Sequence, residues 1–288
     1  MRNVDQLRSP SRAEILLEEV ALHQRRLTDA HYRRWFEELQ ASPRAREAGR
    51  LTSHGFKIFS QSDEDGIIQE IFRRIGTTDR RFIEFGVEDG TESNTRLLLL
   101  LGWTGLWLDG SPENVRRMDE RAEGASTAAL FITAENIDGV LGKWAGGTPE
   151  APAEIDLLSI DIDRNDYWIW QAIRSLNPRV VIVEYNASYP PPIQFVVPYQ
   201  PEATWDGSNY FGASLSSMVK LGCEKGYALV GCNLAGVNAF FVRNDLLSGF
   251  HEPYTAEEHY EPPRYELGLA LRSGHPPKFG DNGAASSA

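Results

Sequence analysis

The most chemically suggestive run in the chain is Arg81-Phe-Ile-Glu84-Phe-Gly86-Val-Glu88-Asp89-Gly90-Thr-Glu-Ser-Asn94. An apolar strand ends in an acid there, and glycines let a ligand approach the backbone before the next helix. A dinucleotide fingerprint would place Gly where Glu88 stands. Acids in the turn would also repel a pyrophosphate, which normally rests on helix amides. The turn therefore suits a ligand that lacks phosphate or carries positive charge. S-adenosylmethionine is such a ligand, through its sulfonium and amino group, and Glu84, Gly86, Asp89 and Gly90 are its candidate contacts in this run. Further on, Leu106-Trp-Leu-Asp109-Gly110 puts a second carboxylate at a strand end, where it can accept two hydrogen bonds from a ribose diol. A third predicted strand ends at Thr133-Ala-Glu135-Asn136, whose polar side chains suit an adenine edge.

A second acidic group follows two later strands: Asp161-Ile-Asp163-Arg164-Asn165-Asp166 and Glu184-Tyr-Asn186. If the strands stay extended, alternation sends Asp161 and Asp163 to one side, and Glu184 and Asn186 likewise. Together these four form an oxygen-ligand set suited to Mg²⁺, a cation that can gather a hydroxylated substrate and lower its pKa. The competing reading is that the acids cap the next helix, with Asp166 as N-cap, or bond the cofactor's amine. Histidine is nearly excluded as a base, because His23, His31, His54, His251, His259 and His275 all lie outside residues 55–250. Proton transfer then falls to Asp161, Asp163 or Glu184, to a Tyr, to Lys143, or to His251 or His259 folded over the site. Cys223 and Cys232 read as small buried residues, not as a metal or redox pair.

Between these acids and the end of the chain, residues 186–212 are rich in Pro and aromatic residues. A loop of that length in a compact domain is usually a lid or a binding loop. Asn186, Tyr199, Trp205 and Tyr210 are its candidate substrate contacts, with Asp206, Ser208 and Asn209 able to bind hydroxyls.

The elements that must position these residues alternate. Strands are predicted over Arg81–Phe85, Gly105–Asp109, Ala128–Thr133, Ile155–Ile160 and Arg179–Glu184. Helices are predicted over Asp65–Ile75, Ser93–Leu101, Asn114–Glu123 and Asp166–Leu176. Near-continuous apolar strands separated by helices indicate a parallel sheet covered on both faces. Tyr227–Cys232 and Val237–Val242 are separated by only four residues, too few for a crossover helix, so this pair reads as an antiparallel hairpin. Residues 11–50 read as two helical segments, opened by the capping-box spacing Ser11-Arg-Ala-Glu14. Their apolar stripes are expected to pack on the body or on a second copy of the chain. Residues 273–288 read as a polar tail.

The 288 residues include 41% hydrophobic and 24% charged side chains, enough for a substantial core. Net charge is −12, concentrated after residue 50. An acidic body argues against a nucleic-acid partner. The longest apolar stretch, Leu97 to Leu108, is too short to span a bilayer, and acids interrupt any signal-like N-terminal run. A cytoplasmic protein acting on a small molecule is the expectation, with a homodimer through the N-terminal helices as the candidate assembly.

With these motifs in hand, the chain resembles class I S-adenosylmethionine-dependent methyltransferases, closest to the FkbM-type families. The resemblance rests on Phe59-Ser-Gln61 with Glu64-Asp-Gly66, Phe82-Ile-Glu84-Phe-Gly86 with Asp89-Gly90, Leu108-Asp-Gly110, and Ser159-Ile-Asp161-Ile-Asp163. It implies an α/β, Rossmann-like seven-stranded sheet of order 3-2-1-4-5-7-6 with helices on both faces and an N-terminal helical extension. It also implies that Glu84 and Gly86 hold the methionine moiety and Asp109 the ribose. Arg164 stands where similar sequences favour Gly, a departure beside the substrate end of the site. The implied organisation is an N-terminal extension over 1–54, a catalytic domain over 55–250 and a C-terminal extension over 251–288. The implied reaction is O-methylation of a hydroxylated metabolite such as a sugar or natural-product intermediate, with Mg²⁺ assistance as an option. Two rivals compete with it. A glycosyltransferase would use Asp161 and Asp163 for Mn²⁺ and a nucleotide sugar. A non-catalytic binding or assembly protein would use the N-terminal helices as its partner surface.

Overall fold

A computed structural model describes residues 11–119, 122 and 124–267. The polar tail over 273–288 and the Glu14 side chain of the capping box lie outside that description.

Runs of Ile, Leu, Val and Phe make the sheet. Its strands are β1 (Arg81–Phe85), β2 (Thr104–Asp109), β3 (Ala125–Ala129), β4 (Ala153–Ile160), β5 (Leu176–Glu184), β6 (Tyr227–Cys232) and β7 (Asn238–Arg243). Their order is β3-β2-β1-β4-β5-β7-β6, with the first five parallel and β7 antiparallel to both β5 and β6. This is the Rossmann-like methyltransferase sheet that the sequence implied, terminal hairpin included. The pleat sends alternate residues to opposite faces. Ile83, Phe85, Leu158, Val181 and Phe241 bury one face, while Phe82, Trp107, Leu157, Ile182 and Phe240 bury the other.

Helices cover both faces: α1 (Arg12–Ala41), α2 (Glu64–Ile75), α3 (Arg96–Leu100), α4 (Pro112–Asp119), α5 (Ile137–Ala145), α6 (Asp166–Ala172), α7 (Leu215–Glu224) and α8 (Ala256–His259). No helix among the described residues is long and apolar enough to cross a membrane.

Several elements depart from the expected bounds. The third strand is Ala125–Ala129, not Ala128–Thr133. It is a sheet edge of small residues paired only with β2, and pairing stops where Asp109 meets Ala129. The bulkier Leu130-Phe131-Ile132 run, which resembles a strand by composition, leaves the sheet and lines a cavity. α3 begins three residues later than expected because Ser93, Asn94 and Thr95 are used to bind Glu84. α6 ends at Ala172 because β5 already starts at Leu176. Cys223 on α7 is exposed, whereas Cys232 is buried as expected.

The N-terminus forms one continuous helix in place of two segments. Only its last turns pack on the body, where Phe36 (6% exposed), Trp35 and Leu39 meet Leu234 and Leu267. Ile15, Leu16, Leu17, Val20, Leu22 and Leu27 stay exposed, Leu17 at 69%, so the expected packing of this stripe on the body does not occur. The segments flanking the sheet region join one another: His251 N–H donates to the Gly49 carbonyl, and Arg44 donates to the carbonyls of Glu258 and Tyr260. Leu51 and Phe250 are buried in the same core as β6 and β7.

Candidate active site

The carboxyl ends of β1, β4 and β5 converge where the order of the sheet reverses, the usual ligand position in such sheets. Gly86 makes the convergence possible. Its φ of +67° suits glycine, and a Cβ there would stand 1.6 Å from the Asp161 carbonyl oxygen. The first turn thus presses directly on the end of β4. Asp163 also takes a positive φ, +66°, so the chain after Ile160 is no longer extended. The simple alternation expected for Asp161 and Asp163 therefore does not hold.

Glu84 is buried and accepts four hydrogen bonds, from Ser93 Oγ, Asn94 N–H, Thr95 N–H and Thr95 Oγ1. Thr95 Oγ1 also accepts from Trp107 Nε1 at 2.8 Å, tying the turn to β2. Glu84 thus stabilises the entry to α3 while lining a cavity. Asp89 accepts from Thr91, and Gly90, φ +77°, packs toward Met118 and Trp107, so both build the turn. Asp109 accepts from Glu88 N–H (3.0 Å), Ser111 N–H (2.8 Å) and Asn114 Nδ2 (3.1 Å), which fixes its carboxylate at the end of β2.

Three cavities meet at Asp163, which lines all of them. One, of about 320 Å³, runs from Gly86 past Asp109, Gly110 and Ser111 to Leu130, Phe131 and Ile132. A carboxylate at one end and apolar side chains at the other match a nucleoside. The second, of about 120 Å³, is lined by Gln61 and Asn238 and by Glu84, Glu88, Glu92, Asp161, Asp163 and Glu184, with no basic residue in the lining among the described residues and Lys57 3.3 Å from Glu92 beside it. The third, of about 260 Å³, is mostly apolar, with Trp205, Phe211 and Tyr265 around Glu184 and Asp163.

The acidic cavity is electrostatically incomplete. Burial raises the Asp161 carboxyl well above the ordinary range, and Asp166 and Asp163 add to the effect. Burial and Asp161 do the same to Glu184. Asp166 is pushed up to about 7 by burial, although the Ile162 N–H bond pulls it back. Glu88 rises through burial and the charge of Asp163, and Asp163 through burial and Asp109. Buried Glu184 Oε2, Asp166 Oδ2 and Asn238 Oδ1 have no hydrogen-bond partner among the described residues. All three are acceptors, so the site calls for a donor or a cation.

Asp161, Asp166 and Glu184 bring one oxygen each within 4.8 Å of one another, a candidate hard-cation set. The expected set differed in two members. Asp163 is outside the trio. Asn186 is also outside it, because Nδ2 donates to the Asn209 and Phe211 carbonyls and Oδ1 accepts from Ser188 N–H. Asn186 fastens the 186–212 loop.

The rest of the loop is similarly secured. Val197 and Gly212 pair through their backbones, Trp168 Nε1 donates to the Val197 carbonyl, and Asn165 Nδ2 donates to the Gln200 carbonyl. Buried Arg164 reaches toward Gln200 and the Tyr210 carbonyl, so the residue that replaces Gly serves as a loop anchor. Tyr199 donates to Glu135 and accepts from Ala134 N–H, which places Glu135 on the outside of the loop anchor. Asn136 caps its own turn, accepting from Thr133 N–H and donating to the Phe131 carbonyl. Glu135 and Asn136 thus stabilise the path of the chain, and the neighbouring cavity is lined by Leu130, Phe131 and Ile132. Tyr210 stacks edge-on against Phe195, while Trp205 faces the aromatic cavity.

Gln61 lines both the acidic and the aromatic cavity. The acids after it serve the backbone: Asp65 Oδ2 accepts from Ile58, Phe59 and Ser60 N–H, and Glu64 accepts from Ser62 N–H, Asn233 and Asn238. The histidines considered as bases sit elsewhere. His251 bonds Glu258, and His259 is buried beside Arg50 with its pKa lowered to about 4 by burial. Lys143 is exposed on α5. Residues that sequence reasoning missed are Phe131, Phe211, Asn238 and Tyr265. Only Phe211, inside the aromatic loop, carried a local signal.

No protein-family model matches the chain, and no curated protein matches it. Among solved structures it is similar to the methyltransferase domain of bacterial CtHen1-C, at 14% identity and TM-score 0.39, covering 64% of this chain and 97% of that one. It is also similar to an S-adenosylmethionine-dependent methyltransferase from Clostridium acetobutylicum, at 10% identity and TM-score 0.38, covering 65% and 92%. A third is such a methyltransferase from Mesorhizobium loti, at 12% identity and TM-score 0.38, covering 61% and 95%.

Proposed function

We propose that this protein is an S-adenosylmethionine-dependent methyltransferase acting on a small molecule held in the aromatic cavity. One observation carries the reading: an Asp109-ended nucleoside-sized cavity opens, at Gly86 and Asp163, onto a second cavity lined only by neutral and acidic residues. When bound, S-adenosylmethionine supplies an electrophilic methyl group on a sulfonium. Asp109 and Gly110 would hold the ribose, Phe131 and Ile132 would pack on the adenine, and Asp161 would take the ammonium. Gly86 lets the ligand lie against the backbone, and Asp163 stands where the three cavities join. Burial, and then the charge of Asp161, raises the proton affinity of Glu184, which suits its carboxylate to take a proton from the acceptor.

This arrangement does not suit a nucleotide sugar, because a diphosphate would enter a cavity lined by six carboxyl side chains, of which Glu92 is paired with Lys57. A Mg²⁺-assisted route would use the Asp161, Asp166 and Glu184 trio in place of the ammonium contact. The test is binding of S-adenosylhomocysteine by the wild type and by Asp109→Ala and Phe131→Ala variants. Saturable binding weakened by both changes is the expected result, and binding indifferent to both would remove the nucleoside assignment.

A further inference from the structure

The aromatic cavity has a composition of its own. Trp205 and Phe211 meet edge to face with ring centroids 6.0 Å apart, forming two walls at an angle. Tyr265 makes a third side of the lining, brought there by Arg264, whose N–H donates to the Ala235 carbonyl and whose side chain donates to the Leu234 carbonyl. Among the described residues, the charged side chains in the lining are Glu184 and Asp163, and no basic residue joins them. Burial and the Glu184 carboxylate together hold the Tyr265 phenol in its neutral form.

Glu184 is the hinge between this cavity and the acidic one, lining both. It lies directly opposite Asn238 in the β5–β7 register. Asn238 is 1% exposed, and its Nδ2 is spent on Glu64, leaving Oδ1 as a buried acceptor without a partner on the wall of the acidic cavity. Glu184 Oε2 is a second such acceptor. Aromatic faces and carboxylates without a counter-ion share one preferred ligand, an organic cation. The ring quadrupole attracts it from the sides and the carboxylates from the end. A neutral hydroxyl would leave the carboxylates unmatched, and an anion would be repelled.

From this we infer that the acceptor substrate is an amine that enters as an ammonium ion carrying an apolar or aromatic group, and that the enzyme is an N-methyltransferase. The inference rests on the methyltransferase reading above and names its substrate class. The ammonium sits at Glu184 and Asp163, with the apolar part between Trp205, Phe211 and Tyr265. Glu184 takes one N–H proton, which frees the nitrogen lone pair. That pair forms the bond to the methyl carbon as the carbon–sulfur bond breaks, and sulfur keeps the bonding electrons as a neutral thioether.

The experiment compares 2-phenylethylamine, 2-phenylethanol and 3-phenylpropionate as ligands of protein saturated with S-adenosylhomocysteine. The amine is expected to bind about threefold or more tighter than the alcohol, the scale of a cation–π contact at the half-exposed Trp205 and Tyr265 rings, and the acid is expected not to bind. Trp205→Ala should weaken the amine about threefold and leave S-adenosylhomocysteine affinity unchanged, since Trp205 lines the aromatic cavity and not the nucleoside one. Glu184→Gln should remove the preference for amine over alcohol. Equal binding of amine and alcohol, or no amine binding by the saturated protein, overturns the inference while the methyltransferase reading stands. Failure of S-adenosylhomocysteine itself to bind folded protein overturns both.

Discussion

At Gly86 the demands of fold and ligand coincide. The backbone of β4 occupies the space where any side chain would start, so Gly86→Ala must both strain φ and displace the Asp161 carbonyl. The expected cost is about 3 kcal/mol or more, with cofactor binding lost, as read by denaturant unfolding and ligand titration. A Gly86→Ala protein of wild-type stability would show that the turn does not press on β4. Asp109 has a double role of another kind. Because it accepts three hydrogen bonds from the protein, Asp109→Ala should lower the melting temperature as well as weaken S-adenosylhomocysteine by about 1.5–3 kcal/mol. A change in stability alone would leave it a purely structural acid. Both residues were legible in the sequence, since a strand-end acid followed by Gly is a local pattern. Asn186 misled because its amide looks like a ligand, whereas the loop's own unpaired carbonyls claim it.

At the scale of elements, what could be read depended on burial. β1, β4 and β5 are buried on both faces, so their apolar runs stand out against the helices between them. β3 is an edge of Ala, Ser and Thr, and the neighbouring Leu130-Phe131-Ile132 run took its place in the reading because apolarity also serves a binding cavity. Contacts made by distant segments left no trace: Asn238 and Tyr265 join the site only through the β5–β7 register and the 261–267 segment. α1 offers a separate test. Burial of Phe36 contributes about 1.5–3 kcal/mol, while the exposed leucines nearer its start contribute nothing to the body. Removing residues 1–30 should therefore leave cofactor affinity and melting temperature near wild type, and Phe36→Ala should lower the melting temperature. A large loss on truncation would mean that the exposed stripe is covered in solution.

For the whole molecule, the excess of buried carboxyls makes stability depend on pH in an unusual direction. Asp63 is raised to about 8 by burial and Glu64, and Asp166 to about 7 by burial. Both lie far above the ordinary value of 3.8, so the folded chain binds more protons than the unfolded one between those limits. Stability is then gained as pH falls and lost as pH rises through about 7 to 8. Asp63→Asn should raise the melting temperature at about pH 8 and change it little at about pH 5, because the neutral amide mimics the protonated acid. A melting temperature that climbs between about pH 6 and 8 would contradict the assignment of buried, protonated acids. Binding follows the opposite sign. A cationic ligand favours the ionised carboxylates of Asp161, Asp166 and Glu184, so its binding must expel their protons.

The decisive measurement is calorimetric titration of the folded protein with S-adenosylhomocysteine at about pH 6 and about pH 8, in buffers of different ionisation enthalpy. The expected result is one saturable site, tighter at the higher pH, with protons released on binding. No binding, or binding that strengthens as pH falls, would contradict the assignment of the acidic cavity to the cofactor's ammonium.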